Sequence, residues 1–65
     1  MWVKIKFFKG PQPQVVEFRD VISIHTVEDI GYTRLVLSFE HEKTHTIEKY
    51  STPTYLINDL EVRER

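Results

Sequence analysis

Residues 32–40 read YTRLVLSFE, and this stretch decides the fold class. One side of the extended chain would be apolar apart from Thr33, with Leu35, Leu37 and Phe39. The other side would be mainly polar, with Arg34, Ser38 and Glu40 beside Val36. A period of two is typical of a strand that buries one face. Residues 44–50 follow a polar tip at 41–43 and are rich in β-branched side chains, so residues 32–50 predict a β-hairpin.

The same alternation continues towards the N-terminus. Met1, Val3, Ile5 and Phe7 share one face of the first segment, and Trp2, Lys4, Lys6 and Phe8 share the other. Residues 9–13, KGPQP, predict a break because proline cannot donate to a strand ladder. The pattern resumes over 15–27, which is long for one strand and contains Asp20 on its apolar side, so we expect a bulge, bend or break at 19–20. Residues 28–31 predict a turn in which Gly31 is free to adopt a positive φ.

The C-terminal stretch supports two interpretations. Residues 51–53 could form a plain turn before a strand from about Tyr55 to Arg63. They could instead begin a short helix with proline at its first position, and Leu56, Ile57 and Leu60 on one face. We favour the strand and keep a short helical turn near residues 53–60 as the alternative.

These patterns predict a single small, mainly β domain spanning residues 1–65. We expect an antiparallel meander of four to five strands that forms a curled sheet or a small barrel. An SH3-like barrel, an OB-like barrel and an open curled sheet all remain open. A chain of 65 residues without cysteine has a small core and no disulfides, so oligomerisation or a bound partner would add stability.

Composition narrows the class of protein further. The chain has no apolar run that approaches the roughly 18 residues of a membrane span, and no apolar signal-peptide core. We therefore expect a cytoplasmic protein that does not enter a membrane. The net charge of −1 gives no general attraction to nucleic acid, although residues 1–19 sum to +3 and residues 20–65 to −4.

Residues 41–45 read HEKTH and match the H-E-x-x-H pattern of zinc proteases. That pattern needs a helix, which places both imidazoles on one face around the metal. Here the flanking segments alternate with period two, so His41 and His45 are only weak metal-ligand candidates on a hairpin tip. We expect no metal, no cofactor and no enzymatic activity, and no small-molecule substrate is evident.

The second face of the first segment gives the candidate binding residues, which are Trp2, Lys4, Lys6, Phe8 and Lys9. Aromatic rings stack on bases and lysines neutralise phosphates, so this strand could bind single-stranded nucleic acid. It could equally be an edge strand that contacts protein. We favour a small non-enzymatic protein-interaction module that binds a protein partner, or itself as a homo-oligomer, through a sheet face or edge. A nucleic-acid-binding accessory protein is the alternative. The biological process is not indicated.

Overall fold

The computed structural model describes residues 1–8 and 14–64. Within these described residues, six strands and one short helical turn follow one another. They are β1 (Trp2–Phe7), β2 (Gln14–Phe18), β3 (Val21–Asp29), β4 (Tyr32–Glu40), β5 (Ile47–Pro53), a 3-10 turn (Thr54–Leu56) and β6 (Ile57–Arg63). The predicted break at residues 9–13 lies outside the described residues.

The strands form two antiparallel three-stranded sheets. The first sheet has the order β2-β1-β6 and the second has the order β3-β4-β5. The predicted mainly β, antiparallel class is confirmed. The described residues form two sheets and no closed barrel, and they contain six strands where four to five were predicted.

The additional strand arises from a bend in the long run of residues 15–27. Asp20 adopts a left-handed φ of 54°, which turns the chain out of β2 and into β3. The bend is held by Met1, since Met1 and Val21 exchange hydrogen bonds of 3.1 and 2.9 Å. Glu40 also donates its N–H to the Asp20 carbonyl at 3.2 Å. The predicted break near Arg19-Asp20 is therefore a sharp bend that passes the chain from the first sheet to the second.

The tight turn between β3 and β4 is formed by residues suited to it. Gly31 adopts a φ of 80° between β3 and β4, and the Asp29 carboxylate accepts the Ile30 N–H at 2.8 Å.

The predicted hairpin of residues 32–50 is present, because β4 and β5 pair antiparallel from Glu40 opposite Ile47 to Arg34 opposite Pro53. Both C-terminal interpretations are partly right, since a helical turn spans Thr54–Leu56 and a strand follows it.

The two sheets share one small core. Its fully or nearly fully buried side chains come from β1, β3 and β4, namely Val3, Ile5, Phe7, Val21, Leu35 and Leu37. Phe18 links the sheets at the edge of this core, with ring centroids 5.0 Å from Phe39 and 4.9 Å from Tyr50. We call the side of each sheet that faces this core its inner face and the opposite side its outer face. Within residues 1–8 and 14–64, no helix is long and apolar enough to cross a membrane.

Candidate functional site

Trp2, Lys4 and Lys6 lie on the outer face of the first sheet, as their alternation with buried Val3 and Ile5 requires. The two neighbouring strands place carboxylates opposite the lysines. Lys4 lies opposite Glu17 of β2 and Glu61 of β6, and Lys6 lies opposite Asp59 of β6. Side chains directly opposite in an antiparallel pair have Cβ atoms about 4.5–5.5 Å apart. Nearby acidic groups therefore offset the lysine charge that would attract a nucleic acid.

Trp2 is half-buried and one face of its ring is covered. Arg63 lies opposite Trp2 on β6, and its guanidinium carbon is 4.9 Å from the ring centroid. Arg63 also donates to Glu61, with Nη2 and Nε at 2.7 and 3.0 Å from Oε2. A cation–π contact of this kind occupies one of the two ring faces on which a base could stack. Trp2, Arg63 and Glu61 thus form a contiguous group on the outer face.

Phe8 belongs to a different part of the surface. It follows β1 at the end opposite to Trp2, so that about 20 Å of extended chain separates them. Its side chain is 61% exposed and its N–H bonds to the Leu56 carbonyl at 2.9 Å. Phe8 borders an open apolar depression of about 170 Å³, whose other lining residues are Phe7, Gln14, Val16, Tyr50 and Leu56. The structure therefore does not bring Phe8 together with Trp2, and Lys9 lies outside the described residues.

The hairpin tip at residues 41–46 holds the two histidines without a helix. The His41 Nδ1 accepts the N–H groups of Lys43 and Thr44 at 3.2 and 3.4 Å. The His45 Nδ1 lies 3.3 Å from a Glu40 carboxylate oxygen, and His45 has a left-handed φ of 59°. The His45 N–H donates to the His41 carbonyl at 2.9 Å, which closes a single turn, but the left-handed φ of His45 ends it. The turn is not continued as the helix on which the zinc motif places both imidazoles. Across the described part of the chain, no three side chains of metal-ligating type come together.

The inner face of β6 carries an apolar surface that the core leaves uncovered. Val62 lies opposite Val3, and Leu60 lies opposite Ile5, so each pair points to the same face of the first sheet. Val3 and Ile5 are fully buried, whereas Val62 is 44% and Leu60 is 39% exposed. The second sheet therefore covers β1 fully and β6 only in part. Ile57 at the start of β6 packs against the shared core, whereas Leu60 and Val62 further along the strand remain partly exposed to solvent.

The backbone of β6 is also unpaired on one side. It is the last strand of the first sheet, so among the described residues only β1 hydrogen-bonds to it. Alternate N–H and C=O groups of an edge strand point away from the sheet and can pair with another chain. The register shift opposite Lys6 and Phe7 leaves Asn58 as an extra residue, after which Asp59–Arg63 pairs regularly with β1. Five consecutive residues thus form a regular free edge.

Each of the other free edges is irregular or ends at one side, as β6 itself does at Asn58, and within the described residues none of them exposes two aliphatic side chains on its inner face as β6 does. Strand β3 has a bulge between Val21 and Ser23, and β5 ends in Pro53, which has no N–H. Strand β2 is only five residues long and ends at the bend at Asp20. We call the segment Asp59–Arg63, with its uncovered Leu60 and Val62, the β6 surface.

Sequence reasoning did not select the β6 surface. The signal was present, because Leu60 and Val62 alternate with Asp59, Glu61 and Arg63 as on an amphipathic strand. Reading Leu56, Ile57 and Leu60 as one helical face competed with that pattern. Whether an alternating side chain is covered depends on how far the second sheet extends, which no local pattern specifies.

Comparisons with models of protein families, with curated proteins and with solved structures found no match for this chain.

Proposed function

We propose that the chain is a small, non-enzymatic protein-interaction module that binds another polypeptide along the β6 surface. The observation that carries the proposal is the contrast between paired residues on one sheet face. Leu60 and Val62 are exposed although Ile5 and Val3 beside them are fully buried. An unpaired strand edge can accept an added strand, and the exposed apolar side chains beside it give that strand a surface to bury.

In this mode, a partner strand would pair with β6 and extend the first sheet. Main-chain hydrogen bonds would contribute affinity, and alternate side chains would contribute specificity. The inner-face side chains of the added strand would pack beside Leu60 and Val62 and bury them. Its outer-face side chains would lie beside Asp59, Glu61 and Arg63, which carry both signs of charge. Apolar burial on one face and charge pairing on the other support a protein partner.

Nucleic acid is less well supported as a partner. Lys4 and Lys6 have carboxylates opposite them, and Arg63 covers one face of Trp2. A single-strand-binding surface combines a positive groove with open aromatic faces. In the experiment below, an adduct with nucleic acid would therefore count against the proposal.

Site-specific photo-crosslinking tests the proposal, with a photoreactive amino acid replacing Val62 in one variant and Val27 in another. Val27 is a matched control because it is also a strand valine and is also 44% exposed. Its position on the outer face of the second sheet removes it from the β6 surface. In cells that contain the protein, we expect a discrete polypeptide adduct from position 62 and none from position 27. Equal labelling at both positions, no adduct at 62, or a nucleic-acid adduct would contradict the proposal.

A further inference from the structure

We infer that the polypeptide bound at the β6 surface is a second copy of this chain, paired antiparallel with β6 about a two-fold axis at Glu61. This inference rests on the proposed function, because it names the partner of that same surface. The evidence is the self-complementary order of charges and apolar residues along Asp59–Arg63.

Symmetry restricts how two copies of β6 can pair. Two antiparallel neighbouring strands are related by a two-fold axis perpendicular to the sheet, which keeps the inner faces of both copies on one side. The axis must then pass through a residue position, so that this residue lies opposite itself. Leu60, Glu61 and Val62 are the three central positions, and each one sets different opposing pairs.

An axis at Leu60 would place Asp59 of each copy opposite Glu61 of the other. Like charges directly opposite each other in a sheet are destabilising. This register contains two such acidic pairs and no opposite-charge pair among residues 59–61. We therefore reject it.

An axis at Val62 would place Glu61 opposite Arg63 of the second copy, which is favourable. It would also place Leu60 opposite Glu64 of the second copy. Leu60 would then face a carboxylate in both halves of the dimer instead of an apolar side chain. This register leaves the inner face of β6 only partly covered.

An axis at Glu61 gives favourable opposing pairs on both faces of the sheet. On the inner face, Leu60 of each copy lies opposite Val62 of the other, so the four exposed side chains form one apolar cluster. On the outer face, Asp59 of each copy lies opposite Arg63 of the other, which makes two opposite-charge pairs. The trunk of each Arg63 is already fixed beside Trp2, with its guanidinium 4.9 Å from the ring centroid.

The one unfavourable feature of this register is Glu61 opposite Glu61 of the second copy. Each of these carboxylates has two cationic neighbours in its own chain, Lys4 opposite it on β1 and Arg63 at 2.7 Å. Across the extended sheet the row reads Lys4, Glu61, Glu61, Lys4, so the two acids are enclosed by two lysines. This central pair makes the register testable, because removing the charge of Glu61 should tighten association of the two copies.

Sedimentation analysis of three variants tests the inference. Wild-type chain should form a dimer, and Glu61→Gln should bind itself about two- to five-fold more tightly, the size expected for one like-charge strand pair. Asp59→Arg and Arg63→Asp should each weaken the homodimer by at least about ten-fold, because both cross-axis pairs become like-charged. An equimolar mixture of these two variants should restore a dimer, since positions 59 and 63 then carry opposite charges across the axis in both pairs. Circular dichroism of each variant alone controls for folding.

Three results would overturn the inference, each in a different way. If position 62 crosslinks to a different polypeptide and the wild-type chain is monomeric at all concentrations, the second copy is wrong while the proposed function stands. If a dimer forms but the mixed variants do not restore it, or Glu61→Gln weakens it, the Glu61-centred pairing is wrong. A monomer that gives no adduct at position 62 would reject both the inference and the proposed function.

Discussion

Val3 and Val62 lie directly opposite each other on β1 and β6 and point to the same face of the sheet, yet Val3 is fully buried and Val62 is 44% exposed. The two side chains are chemically identical, so the difference arises from what lies above them. Residues of the second sheet cover Val3, and nothing among the described residues covers Val62 to the same extent. This contrast marks the limit of the core and the beginning of the β6 surface.

The first prediction compares these two valines by truncation. Val3→Ala should lower the free energy of unfolding by about 2–3 kcal/mol, because it removes two buried methyl groups and leaves a cavity. Val62→Ala should lower it by less than about 1 kcal/mol, as expected at an exposed position. Urea unfolding at low protein concentration measures both values without a contribution from association. Equal losses would show that Val62 belongs to the core, and the β6 surface would not exist as described.

The second prediction concerns the bend between the two sheets. A β-branched residue at a φ of 54° is strained, so Asp20→Val should cost about 1–3 kcal/mol. Asp20→Gly is the matched control and should stay within about 1 kcal/mol of the wild type, because glycine adopts this φ freely. Thermal or urea unfolding of both variants gives the comparison. If the valine variant were as stable as the glycine variant, the left-handed bend would not hold the sheets together.

The third prediction concerns nucleic acid. Because carboxylates lie opposite Lys4 and Lys6, the chain should show no appreciable binding to a labelled single-stranded oligonucleotide at physiological salt. Fluorescence anisotropy at several salt concentrations measures this. Binding that falls steeply with salt, and that is lost in Lys4→Gln, would contradict the prediction because it would show counterion release at this lysine. Lys49→Gln on β5 provides the control for a change in total charge.

The fourth prediction concerns the two histidines of the hairpin tip. His41→Ala should lower the free energy of unfolding by about 0.5–1.5 kcal/mol, since its Nδ1 accepts two backbone N–H groups. His45→Ala should change it by less than about 0.5 kcal/mol, because the contact of His45 with Glu40 is exposed. A chelator should leave the melting temperature of the wild type unchanged. Stoichiometric zinc with a chelator-sensitive melt would show instead that the tip binds a structural metal.

Much of the fold could be predicted from the sequence because strands that bury one face repeat with period two. The stretch YTRLVLSFE became β4, and the residues expected on its apolar side include Leu35 and Leu37 of the core. The misplaced Asp20 correctly indicated a discontinuity in residues 15–27. Local patterns did not show that this discontinuity is a bend that divides the chain between two sheets. That outcome depends on the bonds from Met1 and Glu40, which are distant in sequence.

The candidate site was less predictable. Alternation correctly placed Trp2, Lys4 and Lys6 on the face away from the core, but it could not show that Glu17, Glu61 and Asp59 would lie opposite the lysines. Those pairs depend on the register of β1 with β2, which is close in sequence, and with β6, which is far from it in sequence. Trp2 and Phe8 share a side in the pattern, yet they lie at opposite ends of β1. The exposure of Leu60 and Val62 could not be predicted, because it depends on the extent of the second sheet.

Hydrogen exchange of individual backbone amides at low and high protein concentration tests the central claim most directly, namely that β6 is a binding edge occupied by a second copy. An amide at an unpaired strand edge exchanges quickly, and pairing with another strand slows its exchange. We predict that outward-pointing amides within Asp59–Arg63 become protected as the concentration rises, while amides on the free edge of β3 do not change. Protection that is independent of concentration in β6, or that increases at β3 or β5 instead, would contradict the account.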